Sequence, residues 1–226
     1  MLAKKHNGFD SLAPVYDRLA ALVFGKAIRK AQLCFLNDIP KGGNVLILGG
    51  GTGWLLAELL NVNPDCKVWY VEASRKMLES AQSKVASKPT ASVHYIHGTE
   101  EFLPLNIRFN AVITNFYLDL FSAYSIHRVL NIIIKSILPD GILLVSDFTK
   151  GNVWSHRVLL FIMYRFFRLV CRIEATHLPD WRNQLRKLGW EEAGSKLFYN
   201  SFIQSSLYTT PAGKVREAIP HHEDVR

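Results

Sequence analysis

The sequence predicts an α/β fold, a mostly parallel sheet with helices on both faces and an antiparallel hairpin at its end. Three observations carry that reading. Five short runs rich in Val, Ile and Leu alternate with segments of helical period, the pattern of consecutive βαβ units. The first run, Val45-Leu46-Ile47-Leu48, breaks into Gly49-Gly50-Gly51-Thr52-Gly53 and opens a helix. Two final runs are joined by Tyr199-Asn200-Ser201, which reads as a hairpin.

The elements follow in order. Strands are expected at 44–48, 67–71, 93–96, 111–115 and 142–147, each aliphatic enough to be buried on both faces. Helices begin near Gly53, Ser74 and Ser125; in the second, Met77, Leu78, Ala81 and Val85 recur at helical spacing as a core stripe. Pro139-Asp140-Gly141 reads as a turn into the fifth strand. A long helix is expected over 153–173, a shorter one over 180–188, and hairpin strands over 192–197 and 202–208. The divisions are a helical N-terminal segment (1–40), a core (41–150), a hydrophobic helical segment (151–190) and the hairpin (191–209), all in one domain. A flexible tail (210–226) follows, in which His221-His222 is a solvated pair and not a metal site.

Composition narrows the function. The 226 residues are 49% hydrophobic, enough for one full core, and no stretch of 18 or more uncharged apolar residues appears. The start lacks a secretory h-region, so a cytoplasmic protein is expected. Cys34, Cys66 and Cys171 lie in apolar contexts without metal-ligand spacing, which suits free thiols in a reducing compartment, and no metal site is expected. The net charge of +8 is spread along the chain, and no nucleic-acid-binding signature accompanies it. Nucleic acid is therefore not the expected partner.

The glycine loop suits a nucleoside. Glycines let the backbone turn sharply and approach a ligand closely, and a helix start offers unpaired N–H groups. Glu72, ending the next strand, suits a pair of ribose hydroxyls. The spacing is Gly49-x-Gly51-x-Gly53, and Trp54 takes the place of the third glycine of a dinucleotide fingerprint, which argues against a pyrophosphate. No phosphate loop of the G-x-x-x-x-G-K-[ST] type occurs.

This pattern resembles motif I of the class I S-adenosylmethionine-dependent methyltransferases, with Glu72 as the acidic end of their second strand. The opening Phe9-Asp10-Ser11-Leu12-Ala13-Pro14-Val15-Tyr16-Asp17 resembles the F-D-x-x-A-x-x-Y-D segment of the ubiquinone and menaquinone C-methylation enzymes. His97-Gly98-Thr99-Glu100 and Leu138-Pro139-Asp140-Gly141 resemble later family segments, so the similarity covers roughly residues 9 to 150. It implies a Rossmann-like seven-stranded sheet, S-adenosylmethionine as cofactor and an N-terminal lid. The cofactor residues it implies are Tyr16, Gly49, Gly50, Gly51, Thr52, Gly53, Glu72, Ala73, Gly98, Thr99, Asn115 and Phe116. Three departures stand out: Ile47 replaces a frequent acid, Thr99 replaces the usual Asp after strand three, and the segment past Asp147 lacks the longer pattern of the quinone enzymes. Two other readings stay open on the residues alone, an NAD(P)-dependent oxidoreductase on the same sheet and a noncatalytic binding protein of this fold.

Methyl transfer is an in-line displacement that depends chiefly on alignment and exclusion of water. A base is needed only where the nucleophile must shed a proton, and Tyr117, Asp119 and Asp147 are the candidates at the sheet edge. The helix over 154–173 carries Arg157, Arg165, Arg168 and Arg172 among residues otherwise almost all apolar. That is more apolar surface than one sheet face needs. The surplus suits a lipophilic acceptor, a subunit interface or a peripheral membrane contact, and the expected acceptor is small and apolar or aromatic, methylated at carbon or oxygen.

Overall fold

A run of consecutive aliphatic residues buries every side chain only if helices cover both faces of its sheet. Val45, Leu46, Ile47 and Leu48 are all buried in the computed structural model, which describes residues 7–87, 92–150 and 153–210. The expected tail, with His221-His222, lies outside the described residues beyond Thr210.

The chain begins with three short helices, α1 (Asn7–Leu12), α2 (Tyr16–Phe24) and α3 (Ala27–Leu33). It continues through β1 (Asn44–Leu48), α4 (Trp54–Val62), β2 (Lys67–Glu72), α5 (Arg75–Val85), β3 (Ser92–His97), β4 (Phe109–Asn115), α6 (Ser125–Ser136) and β5 (Ile137–Phe148). The last elements are α7 (Trp154–Cys171), α8 (Trp181–Lys187), β6 (Glu191–Phe198) and β7 (Ile203–Thr209). The seven strands form one sheet in the order β3-β2-β1-β4-β5-β7-β6. All pairings are parallel except those of β7, which runs antiparallel to both β5 and β6. This is the α/β sheet with a terminal hairpin that the pattern predicts.

Alternation along each strand builds a core on either side. Leu46, Leu48, Val112 and Val145 pack with α6 and α8, while Val45, Ile47, Ala111 and Ile113 pack with α4 and α5. A third cluster joins Phe24 and Ala31 to Phe148 and Phe202, with Leu159, Leu160 and Met163 of α7 against it. The three cysteines are free. Among the described residues no helix is long and apolar enough to cross a membrane.

One expectation is corrected. Pro139-Asp140-Gly141 does not close a turn before the fifth strand but lies inside β5, where the pairing with β4 jumps from Phe109↔Ile137 to Ala111↔Ile142. Pro139 cannot donate to a ladder, so an irregularity absorbs it.

The strand order reverses between β1 and β4, and ligands of open α/β sheets bind outside the carboxyl ends of strands at such a switch point. The glycine loop follows β1, Glu72 ends β2, Asn115 ends β4 and Asp147 stands one residue from the end of β5.

Candidate active site

A cavity of about 150 Å³ opens at this switch point. Gly49, Gly50, Gly51 and Thr52 line it from the β1 loop, Glu72 and Ala73 from β2, Gly98 and Thr99 after β3, and Asn115 and Phe116 from β4. Gly49 has φ 64°, and a Cβ there would meet the Tyr117 ring at 2.5 Å, so only glycine lets the loop lie on that ring. Gly51 has φ 67° and open space where a Cβ would project, leaving its backbone bare to the cavity.

Glu72 organises the loop. Its Oε2 accepts the Gly51 N–H at 2.8 Å and its Oε1 accepts the Ser74 N–H at 2.8 Å. Burial raises the carboxyl above its usual range, and the backbone donors of Ser74, Gly51 and Ala73 pull it back. Each oxygen keeps lone-pair capacity for a further donor such as a ribose hydroxyl. Beside it, Asn115 spends its Oδ1 on the Ser146 N–H, while its buried Nδ2 has no partner among the described residues. A bare glycine backbone, a buried carboxylate and an unspent amide donor fit a nucleoside carrying an amino-acid tail. Ile47 is buried in the core below the loop, so the acid often found there has no counterpart.

The N-terminal helices cover this cavity and are fastened to it. Asp17 Oδ2 accepts the Thr52 hydroxyl at 2.7 Å and lies 3.8 Å from Lys84 Nζ. Asp10 Oδ1 accepts the Ser74 hydroxyl at 2.6 Å and the Lys76 N–H at 3.2 Å. On its other side α1 meets α7: a Cβ on Gly8 would lie 2.0 Å from the Val170 carbonyl oxygen, and Phe9 stacks on Phe167 at 6.4 Å. Tyr16 is half-buried and lines the cavity, its phenol held neutral by burial and by the charges of Asp119, Glu72 and Asp17.

A second cavity, of about 270 Å³, adjoins the first and shares Phe9, Tyr16, Ala20, Ile28, Phe116 and Leu120 with it. Its further walls are apolar: Leu19 and Val23 of α2, Phe148 of β5, and Leu160, Met163 and Phe167 of α7. Phe116 stands between the two at φ 52°, a backbone conformation that costs a bulky residue energy and recurs at functional sites.

Among the described residues, one charged group lines the greasy chamber. Asp119 is buried in the turn after β4, and its Oδ1 has no partner among the described residues. Behind it, Asp147 Oδ2 accepts the Asp119 N–H at 3.1 Å and Oδ1 accepts the Phe148 N–H at 2.7 Å. Burial raises both carboxyls, and Asp119 raises Asp147 further through its charge, against a smaller opposing pull from Arg182. Burial thus holds both carboxyls of the pair toward the protonated form, Asp147 well above its usual range and Asp119 pushed up to about 7.

The structure thus gathers most residues the sequence singled out, with three differing in detail. Gly53 is not among the lining residues; a Cβ there would meet Ala81 Cα at 2.5 Å, so its work is close packing of α4 on α5. The Tyr117 ring borders the first cavity, but its hydroxyl donates to buried Glu100 at 2.6 Å and is not free to take a proton. Asp147 lines neither cavity and acts behind Asp119. Glu100 and Glu101, the acids that follow Thr99, pair with Arg128 and line neither cavity. Sequence reasoning missed Asp10 and Asp17, although both stand in the quoted N-terminal segment; their partners lie 64 and 35 positions away.

Comparison with known proteins agrees with this geometry. A family model described as a methyltransferase domain matches residues 45–141, the stretch that carries the cradle. The chain is 27% identical over 170 residues to a demethylmenaquinone methyltransferase of Geobacillus stearothermophilus, covering 71% of this chain and 70% of that one. It is 31% identical over 146 residues to a ubiquinone/menaquinone biosynthesis C-methyltransferase of Francisella tularensis subsp. novicida, covering 63% of this chain and 58% of the relative. The solved structure of an O-methyltransferase family protein from Burkholderia thailandensis shares the fold, with a TM-score of 0.69 at 15% identity over 91% of this chain and 60% of that one. With the family match on the strands that build the cradle and the relatives extending it over most of the chain, the similarities support a class I S-adenosylmethionine-dependent methyltransferase that resembles the ubiquinone/menaquinone C-methyltransferase group.

Proposed function

We propose that the protein transfers a methyl group from S-adenosylmethionine to a small apolar or aromatic acceptor held in the second cavity, and that Asp119 takes the proton the acceptor releases. The observation that carries this is the apolar chamber of about 270 Å³ adjoining the nucleoside cradle, with buried Asp119, its Oδ1 unpartnered, as the one charged lining group among the described residues. Relatives named for demethylmenaquinone and for ubiquinone/menaquinone biosynthesis point to the same chemical class, a hydroxylated aromatic ring with apolar substituents.

When bound, S-adenosylmethionine supplies an electrophilic methyl group on a positively charged sulfur. Glu72 would hold the nucleoside end, with Gly51, free of a side chain, letting it approach the loop closely. Asn115, whose Nδ2 is unspent, would hold the methionine carboxylate, an anchor that does not require an acid at position 47. Tyr16, kept neutral and shared by both cavities, orients the ligands where they meet. Phe116, Phe148 and the α7 side chains limit water at the meeting of the two cavities, and Asp10 and Asp17 hold the N-terminal helices over the first cavity. Ionised Asp119 would accept the proton of an enol or phenol O–H of the acceptor and so leave its ring carbon or oxygen nucleophilic toward the methyl group. Asp147 positions Asp119 from behind by accepting its backbone N–H.

The test is release of S-adenosylhomocysteine on offering a panel of short-chain hydroxynaphthalene and hydroxybenzene acceptors. Asp119→Asn should lower kcat on the order of 10²- to 10⁴-fold, the usual worth of a general base, while S-adenosylhomocysteine affinity holds. An unaltered kcat would remove Asp119 from the chemistry.

A further inference from the structure

The outward face of α7 is unusual for a helix in water. Trp154 and Leu169 are 77% and 83% exposed, and Phe161 and Ile162 are exposed beside them. Arg157, Arg165 and Arg168 are exposed among these residues, and α7 contains no Asp or Glu. α2 adds exposed Leu19, Leu22 and Val23. The two helices meet at the apolar cavity, where Leu19, Val23, Ile162 and Phe166 are at once exposed and cavity-lining. Apolar surface therefore runs without a break from solvent into the chamber.

We propose that α2 and α7 dock on an anionic lipid bilayer, and that an apolar acceptor passes from the bilayer into the cavity between Leu19, Val23, Ile162 and Phe166. The entrance deepens the acceptor reading above and rests on it, whereas the bilayer contact stands by itself. Charge selects the occupant. Two copies of α7 packed on one another would set arginine against arginine with no acid on the helix to answer them. A layer of anionic headgroups answers all three, while Trp154, Phe161 and Leu169 reach the boundary of the acyl chains, the arrangement of helices that lie in a membrane interface. The formal charge of +8 adds attraction to the same surface.

The experiment is flotation of the full chain with vesicles of phosphatidylcholine alone and of phosphatidylcholine mixed with phosphatidylglycerol. Binding should appear on the mixed vesicles and fall as salt rises. Replacing Arg157, Arg165 and Arg168 together by Gln should weaken it tenfold or more, since each basic residue near an anionic surface adds roughly a fivefold factor. Phe161→Ser with Leu169→Ser should weaken it comparably, and neither set should change S-adenosylhomocysteine affinity, because none of these residues lines a cavity. Equal binding to both vesicle types, absence of binding, or indifference to the substitutions would overturn the proposal. So would a dimer in vesicle-free buffer that Phe161→Ser with Leu169→Ser breaks, which would give the face to a second copy. Lost vesicle binding with intact S-adenosylhomocysteine binding defeats the docking alone; loss of S-adenosylhomocysteine binding by the unaltered chain defeats the cofactor assignment.

Discussion

Replacing Glu72 by Gln probes the cofactor cradle with little change of shape. In the native protein both carboxylate oxygens accept a backbone N–H at 2.8 Å, from Gly51 and from Ser74. An amide has one acceptor oxygen, so in either orientation one of these donors faces an NH₂ group. A buried donor left unpaired costs about 1–3 kcal/mol, and a hydrogen bond to a charged group contributes about 1.5–3 kcal/mol. The first cost falls mainly on folding, because the Gly51 and Ser74 contacts exist without ligand; the second falls on binding, where the ribose hydroxyls lose a charged acceptor. S-adenosylhomocysteine affinity should therefore drop roughly tenfold to 150-fold, at about 1.4 kcal/mol per decade. Isothermal titration measures the binding loss and calorimetric melting the folding loss, and Glu72→Ala should weaken binding by about 1–3 kcal/mol as well. An affinity within twofold of the native value, in a variant with native circular dichroism, would refute the assignment of Glu72 to the ribose.

Other expectations concern the base, the lid and the packing. With Asp119 pushed up to about 7, kcat/KM should rise through neutral pH and level above it, and Asp119→Asn should remove that inflection; a native profile in the variant would contradict the assignment. The same elevation has a stability consequence of fixed sign: the protonated carboxyl is compatible with burial, so its contribution is intact below pH 3.8 and is lost as pH rises through about 7. Asp119→Asn should accordingly raise the melting temperature more at pH 8 than at pH 5. Asp10→Ala with Asp17→Ala removes the fastenings to Ser74 and Thr52, each worth about 0.5–1.5 kcal/mol. Hydrogen exchange in α1 and α2 should quicken and KM for S-adenosylmethionine rise several-fold, and unchanged exchange would show that the lid is held otherwise. Gly53→Ala should destabilise by about 1–3 kcal/mol, since its Cβ would press on Ala81 from a backbone at φ 83°; a melting temperature equal to the parent's would deny that contact.

The strands were legible because buried parallel strands are written as near-continuous aliphatic runs, and the glycine loop and Glu72 because their geometry restricts residue type. What escaped the sequence depends on distance or on where an atom goes. Pro139-Asp140-Gly141 carries a local turn signal, yet pairing of β5 with β4 draws it into the strand. Asp10 and Asp17 look like ordinary helix charges until Ser74 and Thr52 arrive beside them. Tyr117, Asp119 and Asp147 are alike as candidates in one dimension, and separate only when Glu100 takes the phenol and the Asp119 N–H takes Asp147. The excess apolar surface of the long helix was legible as excess; that part of it walls a cavity shared with α2 required the fold.

The most direct measurement is a crystal structure of the protein with S-adenosylhomocysteine and a hydroxynaphthalene acceptor. The expected result has the ribose hydroxyls on the Glu72 carboxylate, the sulfur at the passage beside Tyr16 and Phe116, and the acceptor among the α2 and α7 side chains with its hydroxyl on Asp119 Oδ1. An acceptor bound outside that chamber, or a hydroxyl turned away from Asp119, would contradict it.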